Sequence, residues 1–240
     1  MNRNRIVITT ITLARNQQEE ELLRKSLEHL AKLSIPVFLT DGGSGKSFLE
    51  FLRSFSHFTL LNPAKGVWPQ ARNSLLEAEK SNAEFIFYTE PDKTAFFADS
   101  LPDMIEQIST NEQTGVVLAS RSLKGFASFP SFQQMTETTI NCCCEELIGK
   151  PFDYTYGPFL LNKKLIPFLK DLSRDIGWGW RPYLFHIAKR LGYCVEAFVG
   201  NFYCPVEQRN DDGKERIYRM KQLTENIEGL ILSASVSLQE

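Results

Sequence analysis

Acids and bases recur through the first part of the chain in an order that suits a metal–diphosphate complex. Asp41 can accept hydrogen bonds from a base or a ribose, and Gly42 and Gly43 beside it let a backbone approach closely. Lys65 and Arg72 can neutralise phosphates, Arg72 with a planar fork of donors. Glu90 and Asp92 flank one proline and offer hard carboxylate oxygens, the ligand type that Mn2+ or Mg2+ takes when bridging a diphosphate. Each piece also has a plain reading. Asp-Gly-Gly is an ordinary turn, Arg72 an ordinary solvated helix charge, and Glu90-Pro91-Asp92 a turn before the next helix. Their order, and the elements that carry them, favour the joint reading.

Ligands of open α/β sheets bind at the carboxyl ends of the strands. Ile6–Thr12 is β-branched and reads as a buried strand ending in Leu13-Ala14-Arg15-Asn16. Residues 18–33 carry Leu23, Leu27, Leu30 and Ala31 at helical spacing, with acids first and bases later, as the helix dipole favours. Residues 37–40 make a second strand that delivers Asp41-Gly42-Gly43-Ser44. Phe48, Leu49, Leu52 and Phe55 mark a helix, and residues 58–61 a third strand leading to Lys65-Gly66. Pro69 sits in the first turn of a helix that carries Ala71-Arg72-Asn73. Phe85–Thr89 is a continuous apolar strand, as at the centre of a parallel sheet, and ends in Glu90-Pro91-Asp92. Ser100 is the expected N-cap of another helix, with Asp103 in the capping-box position. Residues 115–120 form the next strand. This order predicts an α/β fold with a mostly parallel, Rossmann-like sheet and right-handed crossovers.

After Arg121 the alternation weakens. Ser131–Ile148 and residues 182–191 read as helices, and residues 159–161 and 194–202 as strands. Residues 214–232 read as one helix with Ile217, Met220, Leu223, Ile227 and Leu230 on one face. We expect one domain over 1–240, with a nucleotide-binding half over 1–121, a less regular half over 122–212 and a C-terminal helix over 213–240.

Composition sets the outer limits. The chain has 240 residues and a net charge of −2, from 27 Lys+Arg and 29 Asp+Glu. That balance argues against nucleic acid as the main partner. Hydrophobic residues at 42% allow a full core, and no apolar run is long enough for a transmembrane segment. Five cysteines, three of them adjacent at Cys142–Cys144, suit neither a disulfide framework nor a metal knuckle. They predict a reduced, cytoplasmic protein. Gly45-Lys46-Ser47 invites a phosphate-binding-loop reading. That motif needs a glycine five positions before the Gly-Lys pair, where this chain has Thr40.

The arrangement resembles the nucleotide-binding half of a GT-A glycosyltransferase, most like family two and its retaining relatives. The matching pieces are Leu13–Asn16, Asp41–Ser44, Lys65-Gly66 with Ala71-Arg72-Asn73, and Glu90-Pro91-Asp92. The resemblance implies a GT-A fold and a nucleotide-diphosphate sugar as donor. Leu13, Ala14, Arg15, Asp41, Gly42, Gly43, Lys65, Gly66, Arg72 and Glu90 would bind it, with Glu90 and Asp92 on a Mn2+ or Mg2+ ion. It continues through Asp153-Tyr154-Thr155-Tyr156-Gly157, similar to a segment before the acceptor-side strand of polyprenyl-phosphate sugar transferases. Gly177-Trp178-Gly179-Trp180 is similar to the acceptor loop. On that likeness Asp153 is the candidate base, ahead of Asp175 and Glu145. Tyr156, Gly157, Trp178, Gly179, Trp180 and Arg181 would face a sugar, lipid-phosphate or small-molecule acceptor, the two tryptophans as an aromatic wall.

Three departures stand out. Glu90 replaces an Asp in the metal motif. Arg181-Pro182 occupies the place where many relatives carry an acid, and Cys204-Pro205 the place where some carry a histidine before a proline. These motivate a second reading, a sugar-nucleotide-binding protein without turnover. A nucleotidyltransferase ranks lower, because residues 12–16 lack the glycines its loop needs. Of the histidines, His29 and His57 read as structural or solvated, and His186 as a weak candidate ligand. The basic residues Lys214, Arg216, Arg219 and Lys221 read as a solvated helix face.

Overall fold

A computed structural model describes residues 3–170, 172 and 174–238. In chain order the elements are β1 (Ile6–Thr12), α1 (Gln17–Ala31), β2 (Val37–Asp41), α2 (Lys46–Arg53), β3 (Phe58–Leu60), α3 (Val67–Glu79) and β4 (Phe85–Thr89). There follow α4 (Leu101–Gln107), β5 (Thr114–Arg121), α5 (Leu123–Phe126), α6 (Ser131–Ile148), β6 (Phe159–Asn162), α7 (Pro167–Lys170), α8 (Trp180–Arg190), β7 (Cys194–Gly200) and α9 (Gly213–Ser235). Among the described residues no helix is long and apolar enough to cross a membrane.

The chain folds as two compact units. The first holds residues 3–112 and 158–170. Its strands run in the order β3-β2-β1-β4-β6. β1 to β4 are parallel, and β6 is antiparallel to β4, with Tyr88 opposite Phe159. Ile8, Val37, Leu39, Ile86 and Phe87 are fully buried, as are Leu27, Phe48, Leu52 and Leu75 from the helices. Helices therefore cover the sheet, and its central strand β4 reads as a continuous apolar run for that reason.

The second unit holds residues 113–157, 172 and 174–238. β5 and β7 pair in parallel from Thr114–Cys194 to Arg121–Gly200, and α6, α8 and α9 pack together. β5 belongs here, whereas β6 and α7 return to the first unit through the hydrogen bonds of β6 to β4. A sequential division at residue 121 does not anticipate that return.

Two local expectations change. Ser100 makes no side-chain cap, because a π-helical turn, Phe96–Ser100, runs directly into α4 with Ser100 already in a helical conformation. On α9, Leu230 is buried, but Ile217 and Met220 are exposed. Leu230 is joined in the buried stripe by Asn226, Gly229 and Ser233, small or polar residues that a hydrophobicity pattern passes over. The adjacent cysteines diverge as helical geometry requires: Cys142 is exposed and Cys144 buried, and none of the five cysteines is in a disulfide.

Candidate active site

Asp41 closes β2 directly beside Thr12 of β1. It is 2% exposed. Its Oδ1 accepts the N–H groups of Gly43 and Ser44, both at 2.7 Å. Its Oδ2 accepts the hydroxyls of Thr12 at 2.9 Å and Ser44 at 2.6 Å. The Ser44 hydroxyl oxygen then accepts the Ala14 N–H at 2.8 Å, and Gly42 N–H donates to the Thr12 carbonyl at 2.8 Å. Gly43 holds φ at 118°, a conformation that disfavours any side chain. The carboxylate expected to grip a nucleoside has its acceptor positions filled by the protein. It fixes two loops, residues 13–15 and 42–44, against each other.

The same edge receives the third loop. Ala64 N–H donates to the Asp41 carbonyl at 3.1 Å, and Asn73 holds the Asn62 carbonyl at 3.0 Å. Gly66, with φ at 99°, opens α3, and Lys65 before it is exposed. Leu13, Ala14, Arg15, Gly42, Gly43, Lys65 and Gly66 thus lie on loops joined at the carboxyl edge of the sheet. Leu13 is an exposed apolar side chain there, and Arg15 pairs with Glu19 at 2.9 Å. Arg72 behaves differently. Its guanidinium donates to the carbonyls of Lys170 at 2.8 Å and Leu169 at 3.4 Å. It ties α3 to α7 rather than offering its fork to phosphates, and no local pattern announces a partner so distant in the chain.

Glu90 and Asp92 follow the last residue of β4. Glu90 is buried and Asp92 is half-buried, with the Lys93 ammonium 3.9 Å from Asp92 Oδ1. Both side chains are hard oxygen donors. Among the described residues no group of three or more His, Cys, Asp or Glu gathers. Two carboxylates of this kind fit a hard divalent cation that completes its shell with ligand oxygens and water. The Gly45-Lys46-Ser47 turn is no phosphate loop: Lys46 points to solvent and pairs with Glu50 at 3.6 Å.

In the second unit the expected base, Asp153, is a structural anion. Arg121, at the end of β5, reaches it through Nε at 2.5 Å and Nη2 at 3.0 Å, and Nη2 also meets Glu137 at 2.6 Å. Thr155 and Asn141 donate to the same carboxylate. The guanidinium lies 4.3 Å from the Phe129 ring centre and 4.7 Å from that of Phe126. Burial alone would raise the Asp153 pKa, but the charge and hydrogen bonds of Arg121 and Thr155 hold it down at about 2. A carboxylate so stabilised is a poor proton acceptor. Arg121 and Glu137 were not singled out from sequence. An arginine closing an otherwise apolar strand was the available signal.

The aromatic wall also changes. Trp180 is fully buried and Trp178 is 8% exposed, so neither presents a face to solvent. Tyr156 is buried and stacks on Phe202 with ring centres 4.9 Å apart. Gly157 holds φ at 123°. Arg181 is buried with its guanidinium 4.7 Å from the Trp178 ring centre. His186 is buried against Ser233 at 2.7 Å. Ser233 donates its own proton to the Leu230 carbonyl, so His186 Nδ1–H is the donor.

No family model matches the chain, and no curated protein does so by sequence. Solved structures do match in fold. Glucosyl-3-phosphoglycerate synthase from Mycobacterium tuberculosis, in complex with uridine diphosphate, aligns with a TM-score of 0.65 at 15% identity. The match covers 96% of this chain and 81% of that one. The same enzyme with Mn2+, UDP-glucose and phosphoglyceric acid gives 0.65 at 14% identity, over 96% and 80%. A structure described only as a mycobacterial protein gives 0.64 at 15%, over 96% and 76%. With parallel strands, flanking helices and a loop-built carboxyl edge, this chain has the GT-A fold of nucleotide-sugar glycosyltransferases.

Proposed function

We propose that the protein is a metal-dependent glycosyltransferase that uses a nucleotide-diphosphate sugar. The observation that carries this reading is the edge of the first unit. There the Asp41 hub, the Lys65-Gly66 entry to α3 and the Glu90/Asp92 pair all follow carboxyl ends of parallel strands. In this reading the loops at 13–15 and 42–44 shape the nucleoside site, with Leu13 as its apolar contact. Lys65 supplies a cation to the diphosphate beside the amino end of α3, where helix N–H groups favour anions. Glu90 and Asp92 hold Mn2+ or Mg2+, which when bound stabilises the negative charge of the departing nucleoside diphosphate. Arg181, Trp178 and Tyr156 are buried in the second unit, so in this reading they brace the acceptor side rather than line it with exposed faces. The matched enzyme was crystallised with phosphoglyceric acid and with glycerol 3-phosphate, which makes small anionic acceptors the first to try.

A thermal-shift panel of nucleoside diphosphates and their sugars, with and without Mn2+, tests the reading. A ligand that binds only the folded state must raise the melting temperature. UDP or another nucleoside diphosphate is expected to do so more strongly with Mn2+, and Asp92→Ala is expected to abolish the metal-dependent part. An intact metal-dependent shift in that variant would place the metal elsewhere. A second reading, nucleotide-sugar binding without turnover, draws on Arg181-Pro182 and on the commitment of Asp153 to Arg121. Donor binding with neither hydrolysis nor transfer across the panel would select it.

A further inference from the structure

One stripe of α9 is devoted to a single loop. Tyr218, Gln222, Glu225 and Gly229 recur at helical spacing and therefore share a face. Opposite them runs the segment from Arg174 to Arg181. Glu225 Oε2 accepts the backbone N–H of Trp178 at 3.0 Å. The Tyr218 hydroxyl oxygen accepts the Trp178 indole N–H at 2.9 Å, and Gln222 donates to that oxygen at 3.3 Å. Arg174 pairs with Glu228 at 2.6 Å. Between these ties the backbones nearly touch. A Cβ on Gly179 would overlap the Glu225 carbonyl oxygen, and one on Gly229 would overlap the Gly179 carbonyl oxygen. Gly177, with φ at 51°, leaves room for the Glu225 carboxylate itself. The sequence Gly177-Trp178-Gly179 is thereby explained: the glycines admit α9, and the tryptophan between them is held at both its backbone and its ring.

What the held ring carries is Arg181, whose guanidinium lies over the Trp178 indole. A cation against an aromatic face is attracted to it, so the place of the ring bears on the place of the guanidinium. We propose that Tyr218 and Glu225 are positioning residues that set Arg181 through Trp178, and so fix how the second unit meets an anionic acceptor. The last clause rests on the glycosyltransferase reading, while the geometry of the clamp does not. Glu225 acts by accepting a hydrogen bond, so a neutral acceptor of the same length should replace it. Tyr218 acts through its hydroxyl, so the ring alone should not suffice.

The test uses Tyr218→Phe, Glu225→Ala and Glu225→Gln in the full-length chain. The Trp178 indole N–H resonance, assigned by its loss in Trp178→Phe, reports the ring. Backbone hydrogen exchange reports the loop. Tyr218→Phe should move the indole resonance and speed its exchange, and Glu225→Ala should speed exchange of the Trp178 amide about tenfold. Glu225→Gln should match wild type in both. With UDP-glucose, Mn2+ and phosphoglyceric acid as probes, Tyr218→Phe should raise the acceptor KM several-fold and leave the UDP-dependent thermal shift unchanged. An unmoved indole resonance in Tyr218→Phe, or a Gln variant that behaves as Ala, overturns the clamp. A displaced indole with an unchanged acceptor KM overturns its positioning role. Wild-type protein that binds no nucleoside diphosphate defeats the transferase reading instead, and the resonance and exchange data still decide the clamp.

Discussion

Replacing Asp153 with Asn should cost stability first and chemistry only through stability. In the folded chain the carboxylate is held at about pKa 2 by Arg121 and Thr155, against about 3.9 for an ordinary Asp. That gap corresponds to about 2–3 kcal/mol of stability at neutral pH. The sign follows from the direction. The folded pKa is depressed, so the contribution is present above about pH 4 and is lost as pH falls through about 2. Removing the charge also leaves Arg121 buried with less compensation. Breaking a buried pair costs about 3–5 kcal/mol, and the surviving contact of Arg121 with Glu137 at 2.6 Å argues for the lower end, about 3 kcal/mol. Urea unfolding from pH 2 to pH 7 measures both effects. The wild-type curve should climb between pH 2 and pH 4, and the Asn variant should be less stable at pH 7 with a flatter acid limb. An Asn variant with unchanged stability and an unchanged acid limb would refute the structural role. If that variant were also inactive at every pH, Asp153 would return as the base.

Other perturbations probe separate parts of the molecule. Asp41→Asn replaces one acceptor oxygen with a donor and strands either two amides or two hydroxyls, which should cost about 2 kcal/mol. Its thermal melt should drop, with the nucleoside diphosphate shift weakened alongside, and an unchanged melt would contradict the hub. Gly229→Ala forces a methyl into the Gly179 backbone and should cost about 3 kcal/mol, a fall of about 6–12 °C in Tm; a fall under a degree would show that α9 can step aside. Burial and the nearby Arg190 hold the His186 pKa below its ordinary 6.5. The unfolded chain then binds that proton more readily, so stability should decline as pH drops below 6.5. His186→Gln should remove that decline, and a variant that keeps it would assign the decline to another group.

The central strands of the first unit, β1, β2 and β4, were legible because they are buried on both faces and bounded by turn residues. Phe85–Thr89 begins and ends with its apolar run, and Ile6–Thr12 with its β-branched run. β6 was found as a strand, but its place was not, since antiparallel pairing to β4 leaves no mark in four residues. α9 was legible as a helix and misleading as a face. Its closest packing is made by Gly229, Asn226 and Ser233, which carry no hydrophobic signal. Ile217 and Met220, which carry one, are exposed.

Site residues divide by a related rule. Sequence identifies which groups can bind an anion or a metal, but not which of them the fold has already engaged. Asp41, Arg72 and Asp153 have the right chemistry, and each makes strong contacts within the protein: backbone and hydroxyl donors for Asp41, carbonyls for Arg72, a buried guanidinium for Asp153. A carboxylate that accepts four hydrogen bonds gains little from a fifth partner, and a guanidinium turned to carbonyls must break those bonds to take a phosphate. In the glycosyltransferase reading, recognition of the nucleoside diphosphate at this edge therefore falls to loop backbone and to the exposed Lys65. That division makes a specific demand. Lys65→Ala should weaken nucleoside diphosphate binding more than Arg72→Ala does, once each is compared at equal folded fraction, and the reverse order would show that Arg72 leaves α7 when the ligand arrives.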